Sequence, residues 1–120
     1  MELMFKKYKF KWGKIIMKNI LLVCSAGMST SLLVTKMQKA AQENEVECNI
    51  WAVSQGEAPN NWEKADVLLL GPQVRFLESK MKKMVDGKIP VAVIDTVIYG
   101  RIDGLAVLEQ AYDVMDEFES

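Results

Sequence analysis

From Met17 onward, short apolar runs alternate with stretches of helical periodicity, and that alternation leaves few folds open. Ile20-Leu-Leu-Val23, Val67-Leu-Leu-Leu70 and Val91-Ala-Val-Ile94 are continuous apolar runs, as expected of strands buried on both faces. Residues 46–53 read as a further strand, with Val46, Cys48, Ile50 and Ala52 alternating with other side chains. Between the strands, residues 31–44 read as a helix with Leu33, Met37, Ala40 and Ala41 on one face. Residues 73–85 do the same through Val74, Leu77, Met81 and Met84/Val85, and Asp86-Gly87 stops them. Asp103 can cap a last helix through Phe118, with Leu105, Leu108, Tyr112, Met115 and Phe118 as its stripe. The segment 54–64, with Gly56, Pro59 and Asn60-Asn61, reads as a loop with one short helical turn, and 95–101 as a loop or short turn. Methionines and aromatics at these spacings are core.

Strands separated by helices imply parallel βαβ units with right-handed crossovers, and therefore helices on both faces of the sheet. The expected fold is an α/β three-layer sandwich around a four-stranded parallel sheet. Ligands of such sheets bind outside the carboxyl ends of the strands. That end carries Cys24, Ser54, Gly71-Pro72-Gln73 and Asp95.

The 120 residues suit one domain and show no internal repeat. The net charge of −1 gives no reason to expect a nucleic-acid partner. Residues 1–16 stand apart, with five lysines against Glu2 and interleaved aromatics, while the other 104 residues sum to −5. We expect a basic arm outside the core at 1–16, translated from an upstream start or disordered, and a single domain at 17–120. The arm makes a poor signal peptide, and no apolar run approaches the ~20 residues that span a bilayer. The expectation is a soluble, cytoplasmic monomer with no direct membrane insertion.

Histidine is absent, which removes the commonest general base, the Cys-His pair and most zinc sites. The two cysteines, Cys24 and Cys48, are too far apart in sequence for a C-x-x-C pair. Cys48 falls within a strand and reads as packing. Cys24 ends a strand and opens the run Cys24-Ser-Ala-Gly-Met-Ser-Thr-Ser31, which leads into a helix. Gly27 allows a tight turn, and Ser25, Ser29, Thr30 and Ser31 supply hydroxyls. Loop N–H groups and the helix dipole then converge above the sulfur, an arrangement that binds phosphate and favours an anionic, nucleophilic sulfur.

Two kinds of phosphoryl chemistry fit such a thiol. A low-molecular-weight cysteine phosphatase or arsenate reductase carries Cys-x-x-x-x-x-Arg, whose arginine clamps the transferring group. Six residues after Cys24 stands Thr30, and Arg75 and Arg101 are the chain's arginines. An Asp-Pro pair, the expected source of the leaving-group acid, is also missing. A carrier that holds the group on sulfur and passes it on needs neither the clamp nor a base for water, and it requires no metal or cofactor.

The stretch Ile20-Leu-Leu-Val-Cys-Ser-Ala-Gly-Met-Ser-Thr-Ser-Leu-Leu-Val34 resembles the phosphorylation loop of enzyme IIB of the lactose/cellobiose class of the bacterial sugar phosphotransferase system. The resemblance continues through Ala65–Gln73 and Val93–Gly104 and covers 17–120 in family order. It implies that Cys24 is the phosphorylated cysteine and that Ser25, Ala26, Gly27, Met28, Ser29, Thr30 and Ser31 cradle the phosphate. It further implies that Gly71, Pro72, Gln73 and Tyr99 shape the rim. The implied activity is protein-phosphohistidine–sugar phosphotransfer. Enzyme IIA is the donor, and a sugar held by the membrane enzyme IIC is the acceptor. Cellobiose- or chitobiose-type β-glucosides are the first expectation for that sugar and lactose the next.

Overall fold

The structure is a computed structural model that describes residues 17–25 and 28–120. The expected basic arm, and Ala26 and Gly27 of the loop, lie outside the described residues, as do the side chains of Met28 and Ser29.

Four strands, β1 (Lys18–Cys24), β2 (Cys48–Ser54), β3 (Val67–Leu70) and β4 (Val91–Val93), form one parallel sheet in the order β2-β1-β3-β4. The helices are α1 (Met28–Glu43), α2 (Glu78–Val85), α3 (Thr96–Gly100) and α4 (Gly104–Glu119). Side chains of a strand alternate between faces. Ile20 and Leu22 of β1 accordingly pack with Leu33 and Met37 of α1 and with Val107, Leu108 and Ala111 of α4. Leu21 and Val23 point the other way, against Val74, Leu77, Met81 and Val85 around α2. The continuous apolar run is thus explained by burial on both sides, and the three-layer expectation holds.

The order places a topological switch point between β1 and β3: the chain leaves β1 toward β2 and later returns to the opposite side of β1. At such a point the two crossovers diverge and leave a crevice at the carboxyl ends of the strands. Cys24 ends β1 at that crevice.

Several boundaries differ from the sequence reading. The helix expected from Ser31 starts at Met28, so most of the hydroxyl run lies inside the first turn of α1. Only Ser25, Ala26 and Gly27 then separate strand from helix. The expected helix at 73–85 begins as a 3-10 segment, Pro72–Leu77, because Val74 departs from helical geometry (φ −120°, ψ 27°). The 54–64 loop holds two 3-10 segments, Gln55–Asn60 and Trp62–Lys64. The 95–101 loop contains α3, capped by Asp95, whose carboxylate accepts from the N–H groups of Val97 (2.9 Å) and Ile98 (3.1 Å). Strand β2 starts two residues later than read and reaches Ser54, and β4 stops one residue earlier, at Val93. Phe118, expected in the stripe of the last helix, is exposed, while Val107 and Ala111 are buried in its place.

Glycine is demanded where α4 starts. A Cβ on Gly104 would stand 2.4 Å from the carbonyl carbon of Lys36 and 2.6 Å from the backbone nitrogen of Met37, so α4 begins in direct contact with the backbone of α1. Asp103 caps the same end, accepting from the Ala106 N–H at 3.0 Å.

Candidate functional site

Strand register assembles the surroundings of Cys24. Cys24 lies opposite Ser54 on β2, and on the other side Gly71 donates its N–H to the Val23 carbonyl at 3.0 Å. Cys24 is itself almost wholly buried. A Cβ on Gly71 would come within 3.2 Å of Cys24 Sγ and 2.6 Å of Gln73 Oε1. Glycine at 71 therefore lets the Gln73 amide and the sulfur crowd the same small volume. Gln73 Nε2 donates to the Tyr99 hydroxyl at 2.9 Å, joining the segment after β3 to α3. Behind them, Gln110 of α4 holds the end of β4: its Nε2 donates to the Val93 carbonyl (3.0 Å) and its Oε1 accepts from Asp95 N–H (3.1 Å). The rim residues read from sequence thus converge, with Pro72 half-buried among them as the first residue of its 3-10 segment.

On the β2 side, Cys24 opens into a cavity of about 250 Å³ lined by Thr30, Ser31, Ala52, Val53, Ser54 and Glu57. Ser25, the residue after β1, is exposed. The N–H groups of Met28, Ser29 and Thr30, the first three of α1, have no intrahelical acceptor by helix geometry. An anion on the sulfur would meet the positive end of a 16-residue helix. Thr30 is 5 % exposed, and its hydroxyl has no hydrogen-bond partner. Neither Arg75 nor Arg101 lines the cavity, and both are exposed.

Sequence reasoning missed Glu57. Its carboxylate accepts from the Ser54 backbone N–H and hydroxyl, each at 3.4 Å, and so fixes the wall of the cavity. The spacing Ser54-x-x-Glu57 is that of a capping box, a signal the sequence carried. Also unread were Leu32, Phe76 and Val97, large apolar side chains exposed on α1, on the segment after β3 and on α3, the elements that leave this end of the sheet.

Cys48 begins β2, paired with Lys18, at the opposite end of the strands from the Cys24–Ser54 pair. Six residues of strand put roughly 20 Å between the two cysteines, far beyond disulfide reach. Burial pushes the Cys48 thiol up to about 11, partly offset by the nearby Tyr112 hydroxyl. That suits packing and disfavours nucleophilic attack. Among the described residues, no cluster of Cys, Asp and Glu could hold a metal ion, and no helix is long and apolar enough to cross a membrane.

With that geometry in view, comparison with known proteins is specific. Residues 19–110 match the family model described as PTS system, lactose/cellobiose specific IIB subunit. A Bacillus subtilis protein named PTS system oligo-beta-mannoside-specific EIIB component is 52 % identical over 100 residues, covering 82 % of this chain and 97 % of the relative. A Lactococcus lactis galactose-specific EIIB component is 45 % identical and a cellobiose-specific one 44 %, each over 105 residues with the same coverage. Among solved structures, the cellobiose-specific phosphotransferase IIB component of Borrelia burgdorferi matches with a TM-score of 0.71 at 36 % identity, over 85 % of this chain and 94 % of that one. The lactose-specific IIB domain of Streptococcus pneumoniae has a TM-score of 0.74 at 18 % identity, over 82 % and 98 %, and so supports the fold.

Proposed function

The chain belongs to the lactose/cellobiose-specific IIB subunits of the sugar phosphotransferase system, and from that premise we propose that it carries a phosphoryl group on Cys24 between two partners. One observation carries the assignment: Cys24 ends β1 at the sheet's switch point, beneath the first turn of α1, and opens into a hydroxyl-lined cavity.

In the first transfer, the Cys24 sulfur attacks the phosphorus of a phosphohistidine on enzyme IIA. The S–P bond forms as the P–N bond breaks, and the freed electron pair returns to the imidazole, which takes up a proton. The N–H groups of the first turn of α1 meet the charge that develops on the phosphoryl oxygens. In the second transfer, a hydroxyl oxygen of the sugar bound to enzyme IIC attacks phosphorus. The S–P bond breaks with its electrons left on sulfur, and the hydroxyl proton passes to a base on the sugar-binding partner. Exposed Leu32, Phe76 and Val97 near the rim supply apolar area for a partner to cover, which supports docking at this end.

Relatives of similar identity are named for oligo-β-mannosides, galactose and cellobiose, which supports placing sugar choice in IIC. For this chain we favour a β-linked glucoside or mannoside oligosaccharide. We also assign the carrier to the cytoplasmic face as a monomer, with 17–120 as its working domain and 1–16 as an arm outside the family match. Hydrolysis is the weaker reading, because Thr30 stands where a phosphatase carries arginine and no arginine lines the cavity.

The test is an intact mass after incubation with phosphoenolpyruvate, the general phosphotransferase proteins and a cognate IIA. One added phosphoryl group is expected on the wild type and on Cys48→Ser, and none on Cys24→Ser. An unlabelled wild type, or a label that survives Cys24→Ser, refutes the assignment.

A further inference from the structure

We propose that the cleft between α1 and the α3–α4 connection is a separate anion site, built for a small sugar phosphate. The inference rests on the carrier reading only for the source of that ligand, since a sugar phosphate is what the second transfer yields.

Lys36, Lys39 and Glu43 follow one another at helical spacing and so share one face of α1. Lys36 lies more than two turns after Met28, about 12 Å along the axis from the start of the helix. Packing supplies the opposite wall. Gly104 lets α4 begin against the backbone of Lys36 and Met37, and that contact brings residues 101–105 beside the two lysines. The result is a cavity of about 390 Å³ that shares no lining residue with the one at Cys24. Small-molecule sites span roughly 300–1,000 Å³.

The charge of this cleft runs against that of the molecule. Outside residues 1–16 the chain sums to −5, yet Lys36, Lys39 and Arg101 all line the cavity. Among the described residues none of the three is ion-paired, although Glu43 stands four residues after Lys39. Like charges at neighbouring positions on a helix repel each other. A phosphate dianion would relieve that repulsion, and the Arg101 guanidinium offers it a planar, two-pronged donor.

The backbone carries an independent sign. Ile102 has φ 52°. It sits in the turn that closes α3, where its N–H donates to the Tyr99 carbonyl and the Asp103 N–H to the Ile98 carbonyl, each at 3.0 Å. Glycine is the usual residue at such a position, and a β-branched side chain resists it. Strain of this kind gathers at ligand clamps. Here it sets Arg101 and Asp103, on either side of Ile102, into the wall of one cavity.

The remaining lining selects the class of ligand. Glu43 and Asp103 are acceptors suited to sugar hydroxyls, and Asp103 spends only Oδ1 on the Ala106 N–H, at 3.0 Å. The same carboxylates oppose an acidic peptide. No aromatic side chain lines the cavity, so a nucleotide base has nothing to stack on. A phosphate for the cations and hydroxyls for the carboxylates together describe a sugar phosphate.

The experiment titrates the full-length, nitrogen-15-labelled protein with glucose 6-phosphate and, separately, with glucose and with inorganic phosphate, following the backbone amides by NMR. Glucose 6-phosphate should shift residues 36–43 and 101–105 and saturate with a dissociation constant of about 1 mM or tighter. Glucose should shift none of them, and inorganic phosphate should bind roughly ten-fold more weakly, since it lacks the hydroxyls. Lys36→Gln and Arg101→Gln should each weaken glucose 6-phosphate roughly ten-fold, the loss of one charged hydrogen bond. Lys83→Gln removes the same charge from α2 and should leave the affinity unchanged. No saturation by roughly 10 mM, shifts centred on Cys24 and the start of α1, or inorganic phosphate bound as tightly as the sugar phosphate overturns the inference. Equal losses in all three variants reduce the effect to net charge and overturn it equally. None of these results touches the carrier reading, which stands or falls on the mass of the phosphorylated protein.

Discussion

Replacing Gly104 with alanine sets helix propensity against packing, and the two predict opposite signs. Gly104 is the first residue of α4, and its φ is not in the left-handed region, so alanine can adopt the backbone. Propensity alone would make Gly104→Ala stabilising by up to about 1 kcal/mol. The packing says otherwise. The new Cβ would meet Lys36 C at 2.4 Å, Lys36 O at 2.6 Å and Met37 N at 2.6 Å, all backbone atoms of α1 with no rotamer to yield. Ordinary contact begins near 3.4 Å, so the two helices must part by about 1 Å where they touch. Met37, Val107, Leu108 and Ala111 fill the layer between these helices and the sheet and would lose contact as they part. Overpacking of this kind costs typically about 1–3 kcal/mol, and a clash with backbone belongs at the upper end. Net of propensity, we expect the variant to be about 2 kcal/mol less stable. For a domain of this size that lowers the melting temperature by about 10 °C. Urea unfolding followed by circular dichroism should show a lower midpoint at an unchanged slope. A midpoint equal to or above that of wild type would refute the packing argument.

Gly71 and Cys48 each give a further expected outcome. Gly71→Ala would press on the end of the Gln73 side chain, 2.6 Å away, and on Cys24 Sγ, 3.2 Å away. Because the Gln73 amide can swing off Tyr99, stability should fall by less than about 1 kcal/mol. Transfer through Cys24 should slow roughly ten-fold from the misplaced rim; a quench time course that matches wild type would show the rim to be idle. The second outcome concerns pH. Burial raises the Cys48 thiol from its ordinary 9.0 to about 11, so between those values the unfolded chain loses a proton that the folded one keeps. The associated stability is complete below about pH 9 and is lost as pH rises through about 11; with the thiol partly exposed, it amounts to about 1 kcal/mol after screening. Urea midpoints at pH 8 and 10.5 should therefore fall further in wild type than in Cys48→Ala, and equal falls would refute the assignment.

The sheet was legible because burial on both faces leaves a mark in one dimension: Ile20–Val23 and Val67–Leu70 are apolar at every position, and each strand lies where its run does. Boundaries were less legible where hydroxyl residues start a helix. Ser29, Thr30 and Ser31 score as loop formers, yet α1 begins at Met28, since free N–H groups in a first turn and nearby hydroxyls suit one another. Phe118 fell out of its stripe because the last turn of α4 runs past the edge of the core. At the candidate site, the local pattern marks Cys24 as the residue that ends β1 at the carboxyl edge of the sheet. The cavity wall could not be read that way: Ser54 and Glu57 arrive through the register of β2 on β1, and the Gln73–Tyr99 bond joins residues 26 apart. Pairings of that kind are properties of the assembled sheet.

The assembled surroundings of Cys24 have two unlike halves, and the difference bears on how a relay avoids becoming a hydrolase. Toward β2 the sulfur faces hydroxyls and the Glu57 carboxylate. Toward β3 and β4 it faces the neutral Gln73–Tyr99 pair, with exposed Phe76 and Val97 on the elements beyond. None of the residues lining the cavity is a lysine or arginine. A phosphoryl group bound there would be oriented by neutral donors and the helix terminus while keeping most of its charge, which repels an attacking oxygen. Transfer in either direction then waits for positive charge from outside, and the apolar rim is where a partner carrying it would settle. On the proposed reading, docking and neutralisation become one event: the intermediate is stable while the carrier travels alone and reactive once a partner covers the site.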